Sequence, residues 1–193
     1  LKQYIEKHKI PILTTWNATD VIESDHKYFI GRPGAFAERG ANINIQNCDF
    51  YLSIGSRLPF MVTGYNVADF ARNAYKVMVD IDEKELNFKK DIMDLLICSD
   101  GYDFINKLVS LTPEDFEVNE EWIKICQNLR KKYPILTHTA KNEKNWVNSY
   151  YFITKLSDNI NKKTNVITDM GLSFVGTHQA IKTKFGQNIF TNS

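Results

Sequence analysis

The 193-residue sequence contains no C-x-x-C pair, no G-x-G-x-x-G, no Walker sequence, and no apolar run near the roughly 20 residues needed to span a bilayer. Each absence removes a class. Without the glycine motifs, a standard nicotinamide or P-loop site has no sequence support. Cys48, Cys98 and Cys126 are odd in number and far apart, which argues against a disulfide framework or a cysteine zinc site and fits a reducing cytoplasm. His8, His26, His138 and His178 are scattered, whereas a metal needs several converging ligands. Nothing has the pattern of a hydrolytic triad or a paired-carboxylate site. An excess of one charge is missing too: 24 Lys and Arg are mixed with 23 Asp and Glu for a net +1, so no nucleic-acid footprint and no polybasic membrane anchor is expected. The opening LKQYIEKHKIPIL lacks the apolar core of a signal peptide, and a first residue of Leu is compatible with a cut start.

What is present is an ordinary globular composition, 43% hydrophobic and 24% charged, enough for one or two domains. Short apolar runs alternate with helical patterns, the rhythm of a parallel sheet flanked by helices. The runs are PILTT (11–15), DFYLSI (49–54), KVMVD (76–80) and DLLIC (94–98), each nearly continuous in apolar residues, as doubly buried strands are. Helices are expected around 1–8, 34–46, 67–73 and 102–111. Thr112-Pro113 reads as another helix start, with Trp122, Ile125, Cys126, Leu129 and Tyr133 recurring at helical spacing. A polar loop is expected over 137–145, a helix over 147–160, a strand over 166–168, and a second strand near Ile189. The domain expectation is therefore an α/β unit over 1–111, a connector over 112–145, and the opening of a second α/β unit over 146–193.

Several turns could carry chemistry. Gly55-Ser56-Arg57 follows DFYLSI and Asp80-Ile81-Asp82 closes KVMVD, both at the carboxyl edge where open α/β sheets bind ligands. Arg57 could meet a phosphate with its planar fork and Asp80 a ribose; equally, Arg57 could be a surface residue and Asp80 a cap for a helix begun at Glu83. Gly31-Arg32-Pro33-Gly34 would allow close backbone approach, or simply make a tight turn. Asp169-Met170-Gly171-Leu172-Ser173 is a strand-to-helix turn through glycine, a place where N–H groups converge on an anion such as a diphosphate. An ordinary turn capped by Ser173 explains it as well.

Taken in order, the segments IPILTTWNATD, GRPGAFAERGAN, CDFYLSIGSRLPFMVTG, KVMVDIDEKELN and ICSDGYDFINKL resemble the thiamine-diphosphate-dependent enzymes of the acetolactate synthase type, and the similarity covers nearly the whole chain. The resemblance implies a central, non-catalytic α/β domain with an open parallel sheet of the dinucleotide-binding type, followed by the start of the domain that holds the cofactor diphosphate. In flavin-containing members the central domain holds FAD, which would place Thr15, Trp16, Arg32, Gly55, Arg57, Asp80, Ile81, Asp100 and Gly101 around it. Two departures keep FAD from being required. Leu58-Pro59-Phe60-Met61 stands where synthases carry an acidic, arginine-bearing stretch, and the domain's usual first strand with its glycine-rich turn is absent.

For the diphosphate, two registers compete. Gly171-Leu172-Ser173 with Gly176 resembles the G-x-S-x-x-G pattern of 2-oxoacid decarboxylases, and Gly176-Thr177-His178-Gln179 resembles the synthases' G-Q-H-Q. Either register implies contacts at the start of one helix. The sequence has neither the G-D-G to N-N element that binds Mg²⁺ nor the glutamate that activates the cofactor. The chain alone is therefore expected to be inactive, with no catalytic or metal-ligating residue of its own. The full-length parent is expected to use thiamine diphosphate and Mg²⁺ on a 2-oxoacid such as pyruvate, as a homodimer or homotetramer. A non-synthase decarboxylase and a non-catalytic flavin- or nucleotide-binding module are the alternatives.

Overall fold

A computed structural model describes residues 1–191; Asn192 and Ser193, the end of the second expected unit, lie outside the described residues. Three of the four apolar runs become strands. β1 (Phe50–Ile54), β2 (Tyr75–Asp80) and β3 (Leu95–Cys98) form a parallel sheet in the order β1-β2-β3. Central β2 is the most apolar in effect, with Val77, Met78 and Val79 all buried, while the edge strands are half-exposed. Their connections, α3 (Phe60–Thr63) and α4 (Glu83–Asn87), are short, and Ile45, Leu58, Phe70, Met78, Leu86 and Met93 pack into one core around them.

The run PILTT is not a fourth strand of this sheet. Pro11 supplies no N–H, and the chain turns into a 3-10 helix at Trp16–Ala18, so only a single parallel bridge forms, Ile12 with Phe29. Ile12 N–H donates to the Tyr28 carbonyl at 2.8 Å, and the Ile12 carbonyl accepts from Ile30 N–H at 2.9 Å. Residues 12–30 thus make a loop layer of their own, packed with Ile5 of α1 (Lys2–His8) and with Ile123.

The helix expected from Gly34 begins five residues later, as α2 (Arg39–Asn47). Gly34 sits at φ 131°, and its N–H and carbonyl are clamped by the Asn42 amide at 2.9 and 2.8 Å. That conformation is closed to a helix. Likewise 67–73 yields only a 3-10 turn at Val67–Asp69, because Ala71 is left-handed at φ 45°. α5 (Gly101–Leu111) falls where expected, capped by Asp100. Thr112-Pro113 does not start the next helix: Thr112 closes α5, donating through both N–H and hydroxyl to the Leu108 carbonyl.

The connector helix is α6 (Glu120–Lys132). Asn119 caps it, Glu120 and Glu121 lie in its first turn and Arg130, Lys131 and Lys132 in its last, the arrangement that complements the helix dipole. It is packed rather than free. A Cβ on Gly40 of α2 would stand 2.8 Å from the Leu129 carbonyl oxygen of α6, so glycine permits the close crossing. Arg130 donates to the Phe29 and Ser24 carbonyls and lies over the Phe29 ring.

The expected loop 137–145 contains one helical turn, α7 (His138–Lys141). α8 (Ser149–Asn159), β4 (Val166–Thr168), α9 (Leu172–Ala180) and β5 (Ile189–Thr191) follow as the sequence suggests. β4 and β5 pair in parallel with α9 as the crossover, a single βαβ unit around Ile153, Ala180, Ile181 and Ile189.

Candidate functional site

Five of the nine residues implied for a flavin gather at the carboxyl edge of the three-stranded sheet. Gly55 ends β1 at φ 61° with open space beside it, its N–H donating to the Val79 carbonyl at 2.9 Å. Asp80 ends β2 buried, its carboxylate accepting from Asp82 N–H at 3.0 Å, while Ile81 next to it is exposed. Asp82 and not Asp80 caps α4, accepting from Lys84 N–H at 2.9 Å. Beyond β3, Asp100 accepts from Tyr102 and Asp103 N–H groups, and Gly101 passes close over Ile54.

Arg57, beside this edge, is largely exposed and lies 3.5 Å from the Glu85 carboxylate. Exposed pairs contribute little, so Arg57→Ala is expected to change unfolding free energy by less than about 1 kcal/mol in a denaturant titration. If the purified parent carries flavin, the same substitution is expected to weaken its retention by roughly 1.5 to 3 kcal/mol.

The remaining three residues face elsewhere. Thr15 immediately precedes the 3-10 turn that presents Trp16 to α9, where the Trp16 ring meets Phe174 edge-on at 4.8 Å between centroids. Arg32 is 3% exposed. Its guanidinium donates to the Ile181 carbonyl at 3.2 Å, to Ser24 Oγ at 3.1 Å and to Thr183 Oγ1 at 3.3 Å, and lies over the Phe29 ring. Burial lowers its pKa to about 10, with Glu38 opposing the shift and Arg130 adding to it. The two terminal nitrogens of Arg32 are engaged inside the protein while buried Nε has no partner, and Arg32 is not gathered with the sheet-edge residues, so the flavin set does not converge as a whole.

The second station is the turn between β4 and α9. Gly171 is the N-cap of α9 at φ 77° and ψ −142°, with no side-chain cap and no atom within 4 Å of a built Cβ. Ser173 does not cap the helix; its hydroxyl donates back to the Asp169 and Met170 carbonyls at 2.9 Å. The first N–H groups of α9 are therefore left without a side-chain partner at an exposed glycine turn, which fits a diphosphate.

Only one of the two registers meets that turn. Gly171, Leu172 and Ser173 stand at the helix start. Gly176 lies at the midpoint of α9 and His178 and Gln179 in its last turn, so the expectation that both registers place their contacts at the start is corrected. A Cβ on Gly176 would be 3.1 Å from Ile153 Cδ1 of α8, and Gln179 accepts a hydrogen bond from the Tyr150 hydroxyl. His178 is 1% exposed, with Nδ1 3.0 Å from Thr19 Oγ1. The Thr19 hydroxyl donates to the Trp16 carbonyl at 2.6 Å, so His178 Nδ1–H is the donor and its buried Nε2 has no partner. Burial pushes the His178 pKa down to about 4, with Arg32 adding and Asp20 opposing.

Sequence reasoning missed Thr19, Ser24 and Thr183, which hold these groups. Small polar residues buried in a loop seam carry no periodicity, and nothing in the sequence distinguishes them from surface residues. Among the described residues, no group of three or more His, Cys, Asp or Glu is placed to hold a metal, and no helix is long and apolar enough to cross a membrane.

A parallel sheet with glycine and aspartate turns at its carboxyl edge, followed by a strand-glycine-helix turn, is an open α/β architecture. Residues 1–108 match the thiamine pyrophosphate enzyme central domain, and the chain belongs to that family. It is 29% identical over 140 residues to the acetolactate synthase large subunit of Porphyra purpurea, covering 70% of this chain and 23% of that protein. It is 26% identical over 188 residues to the probable acetolactate synthase large subunit of Methanocaldococcus jannaschii, covering 95% of this chain and 32% of that protein. A match to acetolactate synthase isozyme 2 large subunit of Escherichia coli is 31% identical over 87 residues, 45% of this chain and 16% of that protein. The chain thus spans about a quarter to a third of the length of the first two relatives.

Proposed function

We propose that this chain is part of a thiamine-diphosphate-dependent, acetolactate synthase-like enzyme. The parent decarboxylates a 2-oxoacid such as pyruvate and joins the remaining two-carbon fragment to an acceptor carbonyl, releasing CO₂. The observation that carries this reading is the similarity to the Methanocaldococcus jannaschii protein, which runs across 95% of the chain and so through both the sheet domain and the Gly171 turn. Bound thiamine diphosphate supplies the carbanion-stabilising chemistry. The chain's own residues bind and orient: the α9 N–H groups after Gly171 hold the diphosphate, with Leu172 and Ser173 beside it, and Mg²⁺ is held by residues of the parent. A flavin, where one is bound, rests at the sheet edge between Gly55, Asp80, Ile81, Asp100 and Gly101.

The free thiols Cys48, Cys98 and Cys126 suit a cytoplasmic enzyme. Family resemblance supports a homodimer or homotetramer.

A second enzyme reading has one observation in its favour. The decarboxylase-type pattern Gly171-Leu172-Ser173 stands at the helix start. Product analysis separates the two. Full-length parent given pyruvate and thiamine diphosphate with Mg²⁺ is expected to yield a ketol acid; free acetaldehyde as the main product would favour the decarboxylase instead.

A further inference from the structure

Two kinds of contact hold α9, and one of them comes from the central domain. On one side α8 supports it through Gly176 and Gln179. On the other, the loop layer 12–30 and Arg32 just after it grip both the body of α9 and the chain just past its end. Trp16 packs edge-on against Phe174, one helical turn from the glycine turn, and lies 6.5 Å from His178. Thr19 receives the His178 Nδ1–H bond. Arg32 holds the Ile181 carbonyl, the first residue after the helix.

Ser24 and Thr183 close the seam reciprocally. Ser24 N–H donates to the Thr183 carbonyl and Thr183 N–H donates to Ser24 Oγ, both at 2.9 Å. Thr19, Ser24, Arg32, His178 and Thr183 are all at most 9% exposed. Buried polar groups tolerate little displacement, because each lost bond leaves an unsatisfied donor or acceptor in a dry setting. A seam of this kind defines position more than it adds stability.

We infer that Arg32 and the Thr19–His178 pair are positioning residues for the diphosphate cradle: the central domain sets where the start of α9 stands and so how tightly the parent binds thiamine diphosphate. This inference rests on the reading of Gly171 to Ser173 as that cradle. It gives Arg32 and His178, both suggested by the family motifs as cofactor contacts, a role without ligand contact. Arg32 acts from just past the end of α9 and the Thr19–His178 bond from its last turn, and the two are joined through Thr183, whose hydroxyl accepts from Arg32 and donates to the Thr19 carbonyl.

Calorimetric titration of thiamine diphosphate with saturating Mg²⁺ into full-length parent tests this, at a temperature where circular dichroism shows each variant folded. Thr19→Val keeps the volume and removes the hydroxyl; Arg32→Met removes all three guanidinium bonds; Arg32→Lys restores the charge and part of the bonding. Expected are a several-fold rise in Kd for Thr19→Val, a rise of at least tenfold for Arg32→Met, and partial rescue by Arg32→Lys. A merely structural seam would lower melting temperature and leave Kd unchanged. Gly171→Val is measured alongside. If it weakens binding while Thr19→Val and Arg32→Met do not, the positioning inference is overturned and the cradle reading stands. If none of the three weakens binding, the cradle reading itself fails and takes the inference with it. Should Arg32→Met not fold, Thr19→Val and Arg32→Lys decide the matter, and an unchanged Kd in both overturns the inference.

Discussion

Gly171→Val in the full-length parent is expected to weaken thiamine diphosphate binding by about 1–3 kcal/mol, roughly five- to 150-fold. The cause is backbone conformation. Gly171 sits at φ 77° and ψ −142°, a region essentially confined to glycine, and a β-branched residue there is strained wherever its side chain points. Contact with the rest of the chain contributes nothing, since no atom lies within 4 Å of a built Cβ. The free variant relieves the strain by rotating its peptide planes, which turns the N–H groups at the start of α9 away from the diphosphate, and binding must restore them. Secondary structure is expected to survive, because α9 is held from its second half by α8 and by the loop layer. Calorimetry on the folded variant checks it; an unchanged Kd would remove Gly171 from the cradle.

Acid sensitivity gives the other large effect. Because the pKa of buried His178 is lowered to about 4 in the folded protein, against a usual value near 6.5, the unfolded chain takes up the proton first. Its neutral form favours folding fully above pH 6.5, and that contribution is lost as pH falls toward 4. The loss amounts to about 2 kcal/mol at pH 5 and about 3 kcal/mol near pH 4. The Arg32 charge strengthens the shift and Asp20 weakens it. Comparing wild type with His178→Asn, which can keep the donor to Thr19, isolates the histidine from other titrating groups. Denaturant titrations from pH 7 to pH 5 should show wild type losing about 2 kcal/mol more than the variant. Parallel losses would show that His178 is not held neutral.

The legible parts of the fold were those with a period or a punctuating residue. β2 was readable because a doubly buried strand is a continuous apolar run, and β1 and β3 carry the same apolar run although the sheet leaves them half-exposed at its edges. β4, α9 and β5 were readable because Gly171 separates a β-branched triplet from a helical pattern. PILTT misled because an apolar run is the same whether it pairs with the sheet or with a loop, and only Pro11 and the partner segment 28–30 decide. The start of α2 was set by tertiary contacts at Gly34, which no local pattern encodes.

The candidate site divided along the same line. Turn residues at strand ends, Gly55, Asp80, Asp100 and Gly171, were visible because strand ends and glycines are visible. Arg32 and His178 were visible as motif members, but their burial in a seam between distant segments is a property of the packing. A buried arginine bonded within the protein and an exposed ligand-binding one share a letter.

The most direct measurement is a titration of thiamine diphosphate with Mg²⁺ into the full-length parent and into the 193-residue chain, each then assayed for pyruvate consumption. A diphosphate bridged by a divalent metal needs several ligands that offset its charge, and among the described residues no group of three or more His, Cys, Asp or Glu is placed to hold a metal. The account predicts saturable binding and cofactor-dependent turnover by the parent, with weak or no binding and no turnover by the chain alone. A parent that neither binds the cofactor nor consumes pyruvate, or robust turnover by the purified 193-residue chain, would contradict it.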